Sequence, residues 1–217
     1  MAGLFPFQRE AVAQLMAGKR IIVSDMGSGK SAMAMVFAEQ KCEETSKHKV
    51  LVVTTASKTK VRTAEGLNDF EDEAQKFCSS SFLKSLSSLS LISWHKLRAW
   101  VDANWKSLDE WVVIFDEVAK CKGYSTGMGK AFLKITKKNP DWAGFTGTPG
   151  DSWDSYISYF VATNLVRNKT SFMAEFANVQ TYKGYPEIVG WRSENKLRDM
   201  WARISYAPDT RSVLSQL

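Results

Sequence analysis

A glycine-rich segment, Ser-Asp-Met-Gly-Ser-Gly-Lys-Ser, occupies residues 24–31 directly after a short apolar run. Glycines let the backbone turn tightly and aim several N–H groups at one point, a geometry that binds phosphate. A helix that begins near Lys30 adds the positive end of its dipole. Lys30 can reach the outer phosphates of a nucleoside triphosphate, and the Ser31 hydroxyl can ligate magnesium. The residues predicted to bind the nucleotide here are Met26, Gly27, Ser28, Gly29, Lys30 and Ser31.

The strict phosphate-loop pattern begins with a glycine, and this sequence has Ser24 at that position. The alternative interpretation is a Gly/Ser turn before an ordinary helix. Strand, loop, Lys-Ser and helix nevertheless follow one another in the order that the motif requires. We therefore interpret the segment as a variant phosphate loop.

Two acidic residues, Asp116 and Glu117, follow the apolar run at residues 111–115. Ligands of a parallel sheet bind beyond the carboxyl ends of its strands, so the pair should lie near the phosphate loop. Asp116 could hold magnesium through water, and Glu117 could orient and deprotonate an attacking water. A solvated strand end is the alternative, but the upstream loop favours catalysis. The predicted catalytic residues are Lys30, Asp116 and Glu117.

Two other groups could support this site. Thr146, Gly147 and Thr148 follow a short apolar run and could couple the acidic pair to other parts of the protein through hydrogen bonds. Taken alone, they are more typical of an ordinary Thr/Gly/Pro turn. The amide of Gln8 can donate and accept a hydrogen bond, which matches the edge of adenine, although a lone glutamine is more often solvated.

Strand-like and helix-like segments alternate along the chain. The predicted strands are residues 20–23, 50–54, 90–93, 111–115 and 143–145. The predicted helices are 8–17, 30–43, one or two within 58–77, then 96–103, 130–137 and 154–166, with a serine-rich loop at 78–90. Continuous apolar strands separated by helices indicate an α/β fold with a parallel sheet covered on both faces.

The composition fits one globular domain, with 217 residues of which 44% are hydrophobic and 24% charged. The net charge of +6 favours an anionic partner, nucleic acid first. Three cysteines without a C-x-x-C pair and two histidines predict neither a zinc site nor a disulfide framework. Because the sequence shows no signal-like start and no apolar run of about 20 residues, we expect a cytoplasmic protein without a membrane partner.

Six segments, in this order, resemble the motifs of superfamily-two helicases and translocases, particularly the Swi/Snf-type ATPases and their phage or bacterial relatives. The segments are FPFQREAV (5–12), SDMGSGKS (24–31), TTASKTK (54–60), LISWHKL (91–97), VVIFDEVAKCK (112–122) and GFTGTP (144–149). The resemblance implies a three-layer, RecA-like P-loop NTPase fold. It also implies ATP and Mg²⁺ as cofactors, DNA rather than RNA as the partner, and a bacterial or phage-infected cell as the setting.

The resemblance also implies roles for single residues. Gln8 would bind adenine, Lys30 and Ser31 the phosphates and magnesium, Asp116 the metal shell, and Glu117 would be the catalytic base. A further set would contact nucleic acid, with a solvated helix start as the alternative for its lysines and a core position as the alternative for its tryptophan. This set is Thr55, Ser57, Lys58, Lys60 and Trp94.

The chain departs from the family pattern in two ways. Residues 118–119 are Val-Ala where the family often has Ala-His, which puts one route of coupling in doubt. Family members also close two RecA-like lobes on ATP, and the second lobe supplies an arginine finger. We expect residues 1–166 to form the first lobe and residues 167–217 a small helical appendage leading toward a second lobe missing from this chain. A naturally single-lobed protein is the alternative.

Two other functions remain open at this stage. A P-loop phosphotransferase of the nucleoside-kinase type would use the same phosphate loop, but no arginine-rich lid segment is evident after the predicted sheet. A non-catalytic, nucleotide-gated binding module would need Lys30 but not the predicted base Glu117.

Overall fold

A parallel β-sheet lies at the centre of the fold. The structure is a computed structural model that describes residues 3–182 and 185–209. Within these residues the strands are β1 (Ile21–Val23), β2 (Lys49–Thr54), β3 (Ser88–Ser93), β4 (Trp111–Asp116), β5 (Trp142–Thr146), β6 (Ala177–Tyr182), β7 (Tyr185–Trp191) and β8 (Ser205–Tyr206). Six of these described strands form one parallel sheet in the order β3-β2-β4-β5-β1-β8, and β6 and β7 form an antiparallel hairpin.

Helices cover both faces of this sheet. In the described residues they are α1 (Pro6–Met16), α2 (Lys30–Thr45), α3 (Asp69–Phe77), α4 (Ser80–Ser85), α5 (Leu97–Asn104), α6 (Gly127–Lys138), α7 (Ile157–Ala162), α8 (Lys169–Phe176) and α9 (Glu194–Ile204). Val50 and Val52 of β2 pack in a core with α1–α4, while Leu51 and Val53 pack in a second core with α5–α9. Because both faces are covered, the central strands β2, β4 and β5 are buried over almost their whole length. The predicted three-layer α/β fold is confirmed.

The predicted helical span 58–77 is helical only over α3. The Asn68 side chain accepts hydrogen bonds from the backbone N–H groups of Phe70 and Glu71, both at 3.0 Å. This cap starts the helix, and residues 55–68 before it form turns and loops. The structure therefore corrects the prediction for the segment that follows β2.

The serine-rich loop predicted at residues 78–90 is wrong over α4 and over the first residues of β3. The Ser79 hydroxyl accepts a hydrogen bond from the backbone N–H of Phe82 at 3.1 Å and so caps α4. The Phe82 side chain is buried in the core with α1–α3. The serine cap and the buried Phe82 side chain both stabilise this short helix.

The helix predicted at residues 154–166 is also shorter in the structure. A 3₁₀ turn covers Trp153–Tyr156, and α7 then extends over Ile157–Ala162. Asn164 adopts a left-handed backbone with φ of 58°, a conformation that cannot continue a right-handed helix.

The segment after residue 166 is only partly helical. It contains α8 and α9, but also the hairpin β6–β7, and β8 pairs in parallel with β1 through Ile21 to Ser205 and Ile22 to Tyr206. Phe172 of α8 and Leu197 of α9 lie in the same core as the sheet. The expected packing against the lobe is therefore observed, while a separate domain beginning at residue 167 stays a prediction. The part of that prediction over residues 210–217 lies outside the described residues.

None of the described helices combines the length and the hydrophobicity that crossing a lipid bilayer requires.

Candidate active site

The phosphate loop lies between β1 and α2, as the sequence predicts. Gly27 and Gly29 have left-handed backbones, with φ of 79° and 76°, and Gly29 is the N-cap of α2. The Ser28 hydroxyl oxygen lies 2.8 Å from the Asp25 carbonyl oxygen and 2.9 Å from the Ser24 hydroxyl. The serine that replaces the first glycine of the motif therefore helps to close the loop on itself.

Lys30 of this loop is buried, with only 8% of its surface exposed. Its Nζ atom donates hydrogen bonds to the carbonyl oxygens of Ser24 at 3.0 Å and Asp25 at 2.8 Å. Burial lowers the pKa of Lys30, and the negative charges of Glu117 and Asp116 oppose that lowering. The structure thus brings the three predicted catalytic residues within electrostatic range of one another.

Gln8 is buried against the loop from the side of α1. Its Nε2 atom donates to the Ser28 carbonyl oxygen at 2.9 Å, and its Oε1 atom accepts from the Phe5 backbone N–H at 2.9 Å. A Cβ atom on Gly29 would lie 2.3 Å from Gln8 Nε2. Gln8 therefore positions the phosphate loop, a contact that the sequence did not reveal.

The other loop residues differ in exposure. The Met26 side chain is 93% exposed, so any contact of this residue with phosphate would come from its backbone. Ser31 is half-buried in the first turn of α2. Its position next to Lys30 is the one that the predicted magnesium ligand needs.

Asp116 ends β4 with only 1% of its surface exposed. Its Oδ2 atom accepts a hydrogen bond from the Thr54 hydroxyl at 2.5 Å and from Lys58 Nζ at 3.0 Å. Thr54 was missed by the sequence analysis, although it ends the strand that pairs with β4, where Val53 lies opposite Phe115. That register places Thr54 beside Asp116.

Glu117 follows with a left-handed backbone, φ 51° and ψ 50°. For a residue other than glycine, such a backbone costs about 1–3 kcal/mol, and strained residues of this kind cluster at functional sites. The next residue, Val118, is fully buried against Gly144 of β5, where an added Cβ atom would lie 3.1 Å from the valine carbons. The strained turn therefore separates a half-buried Glu117 from a core residue.

The predicted nucleic-acid contacts divide into two groups. Lys60 and Ser57 are exposed, and the Thr55 hydroxyl lies 3.1 Å from the Ser57 hydroxyl at the surface. The Lys58 side chain is instead directed inward, onto Asp116. The Trp94 side chain is buried, which contradicts the predicted base stacking.

Trp94 is 3% exposed and stacks on Phe115 with ring centroids 5.6 Å apart. Its indole Nε1 donates to the Asp116 carbonyl oxygen at 2.8 Å. A ring buried in this way has no free face for a nucleic-acid base. Trp94 is a core residue that fixes the backbone of the acidic pair.

The segment of Thr146, Gly147 and Thr148 contacts the phosphate loop. The Thr146 carbonyl oxygen accepts from the Ser24 backbone N–H at 3.0 Å, and the Thr146 hydroxyl accepts from the Thr148 N–H at 3.2 Å. An added Cβ atom on Gly147 would lie 3.5 Å from the Ser24 carbonyl oxygen. A coupling role for these residues stays a prediction. Their contacts with Ser24 make the phosphate loop the part of the site that they would couple.

The sequence matches the family described as "Type III restriction enzyme, res subunit" over residues 2–151. The fold is similar to the Sulfolobus solfataricus SWI2/SNF2 ATPase core in complex with dsDNA, with 17% identity and a TM-score of 0.65, covering 95% of this chain and 44% of that one. It is also similar to the UvsW helicase from bacteriophage T4, with 17% identity and a TM-score of 0.50, covering 74% and 57% of the two chains.

The present chain thus spans about half the length of these two structures. Because the sequence identity is only 17%, the similarity to these structures is one of fold. No curated protein matches this sequence.

Proposed function

The chain belongs to the family of the type III restriction enzyme res subunit, and on that premise we propose that it is the ATP-binding lobe of a motor that translocates on DNA or unwinds it. Family and fold support a helicase-type nucleotide-hydrolysing lobe. The observation that carries the proposal is that the phosphate loop follows β1 and the acidic pair begins at the end of β4, and that these two strands pair in parallel with either side of β5.

The chain's own groups suit a triphosphate. The loop backbone and the start of α2 would bind the phosphates, and the Lys30 ammonium would leave the carbonyl oxygens of Ser24 and Asp25 to neutralise the outer ones. Glu117 would orient the attacking water and accept its proton. Because Asp116 is buried and Glu117 is only half-buried, the two carboxylates would have separate tasks.

Magnesium fits the oxygen groups that the structure brings to this edge. A hydroxyl at the start of α2 and a buried carboxylate at the end of β4 are ligand types that Mg²⁺ accepts, directly or through water. Ser31 and Asp116 would hold it, and it would supply charge neutralisation of the phosphates.

DNA and a second lobe belong to the same proposal. One neighbour of similar fold was solved with double-stranded DNA, and this chain has a net charge of +6, which suits a polyanion. The exposed Ser57 and Lys60 beside the end of β2 would contact the phosphate backbone. A second lobe would supply the arginine finger, whose absence can cost about 10³–10⁵ in rate.

The test is nucleotide binding and single-turnover ATP hydrolysis by this chain, with and without duplex DNA. We expect Lys30→Ala to abolish binding of a fluorescent ATP analogue. We expect Glu117→Gln to bind it normally and to lose the slow turnover. Lys130→Ala removes an exposed lysine of α6 and is the matched control. Unchanged affinity in Lys30→Ala would refute the phosphate-loop assignment, and retained turnover in Glu117→Gln would exclude that residue as the base.

A further inference from the structure

Lys58 forms an ion pair with the carboxylate that the proposed function assigns to magnesium. Its Nζ atom lies 3.0 Å from Asp116 Oδ2, and the side chains of Lys58 and Asp116 are 27% and 2% exposed. The ammonium also lies 6.0 Å from the centre of the Phe70 ring, so an aromatic face supports it on one side. Lys58 is thus a partly buried cation with a defined place at the carboxyl edge of the sheet.

A divalent cation at Asp116 would compete with this ammonium for the same carboxylate. A cation held at Asp116 would repel a positive charge that lies 3.0 Å from the same atom. The Thr54 hydroxyl donates to Oδ2 independently, at 2.5 Å, and would keep the carboxylate in place after the ammonium leaves. Loading of the site would therefore weaken the ion pair of Lys58 with Asp116 without removing every support of Asp116.

The chain around Lys58 determines where the displaced ammonium can go. Lys58 lies in the turn that follows β2, next to the exposed Ser57 and close to the exposed Lys60. Its flexible four-carbon stem allows the ammonium to swing outward by several ångströms. On that outer surface it joins hydroxyl and ammonium groups of the kind that contact a phosphate backbone.

We propose that Lys58 exchanges between Asp116 and a backbone phosphate of bound nucleic acid, and so couples magnesium–nucleotide binding to nucleic-acid binding. The inference rests on the proposed function and adds the residue that connects its two ligands. By linkage the coupling is reciprocal, because a phosphate that draws Lys58 outward frees Asp116 for the metal to the same extent.

The experiment measures binding by the intact chain. The affinity for a short fluorescein-labelled duplex DNA is measured by anisotropy, with and without saturating magnesium and the slowly hydrolysed analogue ATPγS, and over a series of salt concentrations. The magnesium concentration for half-maximal binding of a fluorescent ATP analogue is measured separately. The variants are Lys58→Gln and Lys58→Arg, with Lys60→Gln as the matched loss of one charge from the same segment.

In the wild-type chain we expect magnesium–ATPγS to tighten DNA binding by about fivefold or more. Lys58→Gln should abolish this difference in DNA affinity with and without magnesium–ATPγS. It should also reduce the slope of log affinity against log salt concentration by about one, and lower the magnesium concentration for half-maximal nucleotide binding by about threefold. Lys60→Gln should reduce the salt slope by the same amount but leave the nucleotide-dependent change in DNA affinity and the magnesium midpoint unchanged. Lys58→Arg, which keeps the charge, should keep the coupling.

Distinct results would overturn the two proposals. If the wild-type chain binds neither magnesium–nucleotide nor DNA, the proposed function fails and this inference fails with it. If it binds both but shows no coupling, or if Lys58→Gln retains the coupling, only the inference fails. A raised magnesium midpoint in Lys58→Gln would also overturn it, because Lys58 would then be a group that holds Asp116 in place.

Discussion

Replacing Gly29 with alanine tests how the phosphate loop is held against α1. Gly29 has φ of 76°, and an added Cβ atom would lie 2.3 Å from Nε2 of Gln8. Real Cβ atoms essentially never approach another heavy atom closer than 3.0 Å, so Gln8 must move. Gln8 is 5% exposed and its Nε2 atom donates to the Ser28 carbonyl oxygen at 2.9 Å, so the movement breaks a buried hydrogen bond.

Two contributions give the magnitude. A left-handed backbone costs a residue with a Cβ atom about 1–2 kcal/mol. A buried amide and carbonyl that lose their hydrogen bond cost about 1–3 kcal/mol more. We therefore expect Gly29→Ala to reduce the free energy of unfolding by about 2–5 kcal/mol.

Gly27 provides the matched control. Its φ of 79° is nearly the same, but an added Cβ atom would have no heavy atom within 4 Å. Gly27→Ala should therefore show the backbone contribution alone, about 1–2 kcal/mol. In a Gln8→Ala background, where the obstructing amide is gone, Gly29→Ala should cost no more than Gly27→Ala.

Urea unfolding followed by tryptophan fluorescence measures all four variants, with the slopes checked for constancy. The double-mutant cycle then isolates the interaction between Gly29 and Gln8. Equal destabilisation by Gly27→Ala and Gly29→Ala, or the same cost of Gly29→Ala with and without Gln8, would refute the reasoning.

Three further predictions follow from burial. Burial raises the pKa of Cys42 and Cys78 to about 12, and that of Cys121 well above its usual value. A thiol-reactive disulfide reagent at about pH 8 should therefore label these cysteines only after unfolding. Rapid labelling of the folded chain would contradict this prediction. Asn139→Ala removes an amide that donates to two carbonyl oxygens at 2.8 and 2.7 Å and should cost about 2–4 kcal/mol in urea unfolding, whereas a cost below about 1 kcal/mol would show that water replaces it. Because burial lowers the pKa of Lys30, nucleotide affinity should decline with rising pH before an ordinary lysine would deprotonate. In the same pH window the unfolded chain binds more protons than the folded chain, so the contribution of Lys30 to folding stability rises. A flat affinity profile up to about pH 10 would exclude this role of Lys30 in nucleotide binding.

The sequence predicts the parts of the site that depend on short-range spacing. Gly27, Gly29 and Lys30 lie within one turn of chain, and their backbone requirements follow from residue type alone. The position of Asp116 near them follows from the general rule that ligands bind at the carboxyl ends of parallel strands. These predictions needed no knowledge of packing.

The inward course of Lys58 and the burial of Trp94 depend on residues far away in the chain. Lys58 meets a carboxylate 58 positions later, and the Trp94 indole meets a carbonyl oxygen 22 positions later. In the sequence, a lysine in a polar turn and a tryptophan after a strand have the same pattern whether they face solvent or the core. Only strand order and register decide between these alternatives.

The hairpin β6–β7 was missed for a related reason. Its residues are almost all exposed, so they lack the alternation of apolar and polar residues that marks a half-buried strand. Two-stranded ribbons of this kind depend on local pairing and on attachment to the rest of the fold. Here α8 and α9 flank the hairpin and anchor it through their core residues.

The pairing of β8 with β1 has a mechanical consequence. β1 leads directly into the phosphate loop, and β8 lies parallel to it at the edge of the sheet, joined also by the hydrogen bond from the Arg20 N–H to the Ile204 carbonyl oxygen at 2.7 Å. A pull along Ser205–Tyr206 would load these bonds in shear, all at once, rather than peel them open one by one. Tension in that short strand would therefore reach the loop as a displacement of β1, with no other element needed to carry it.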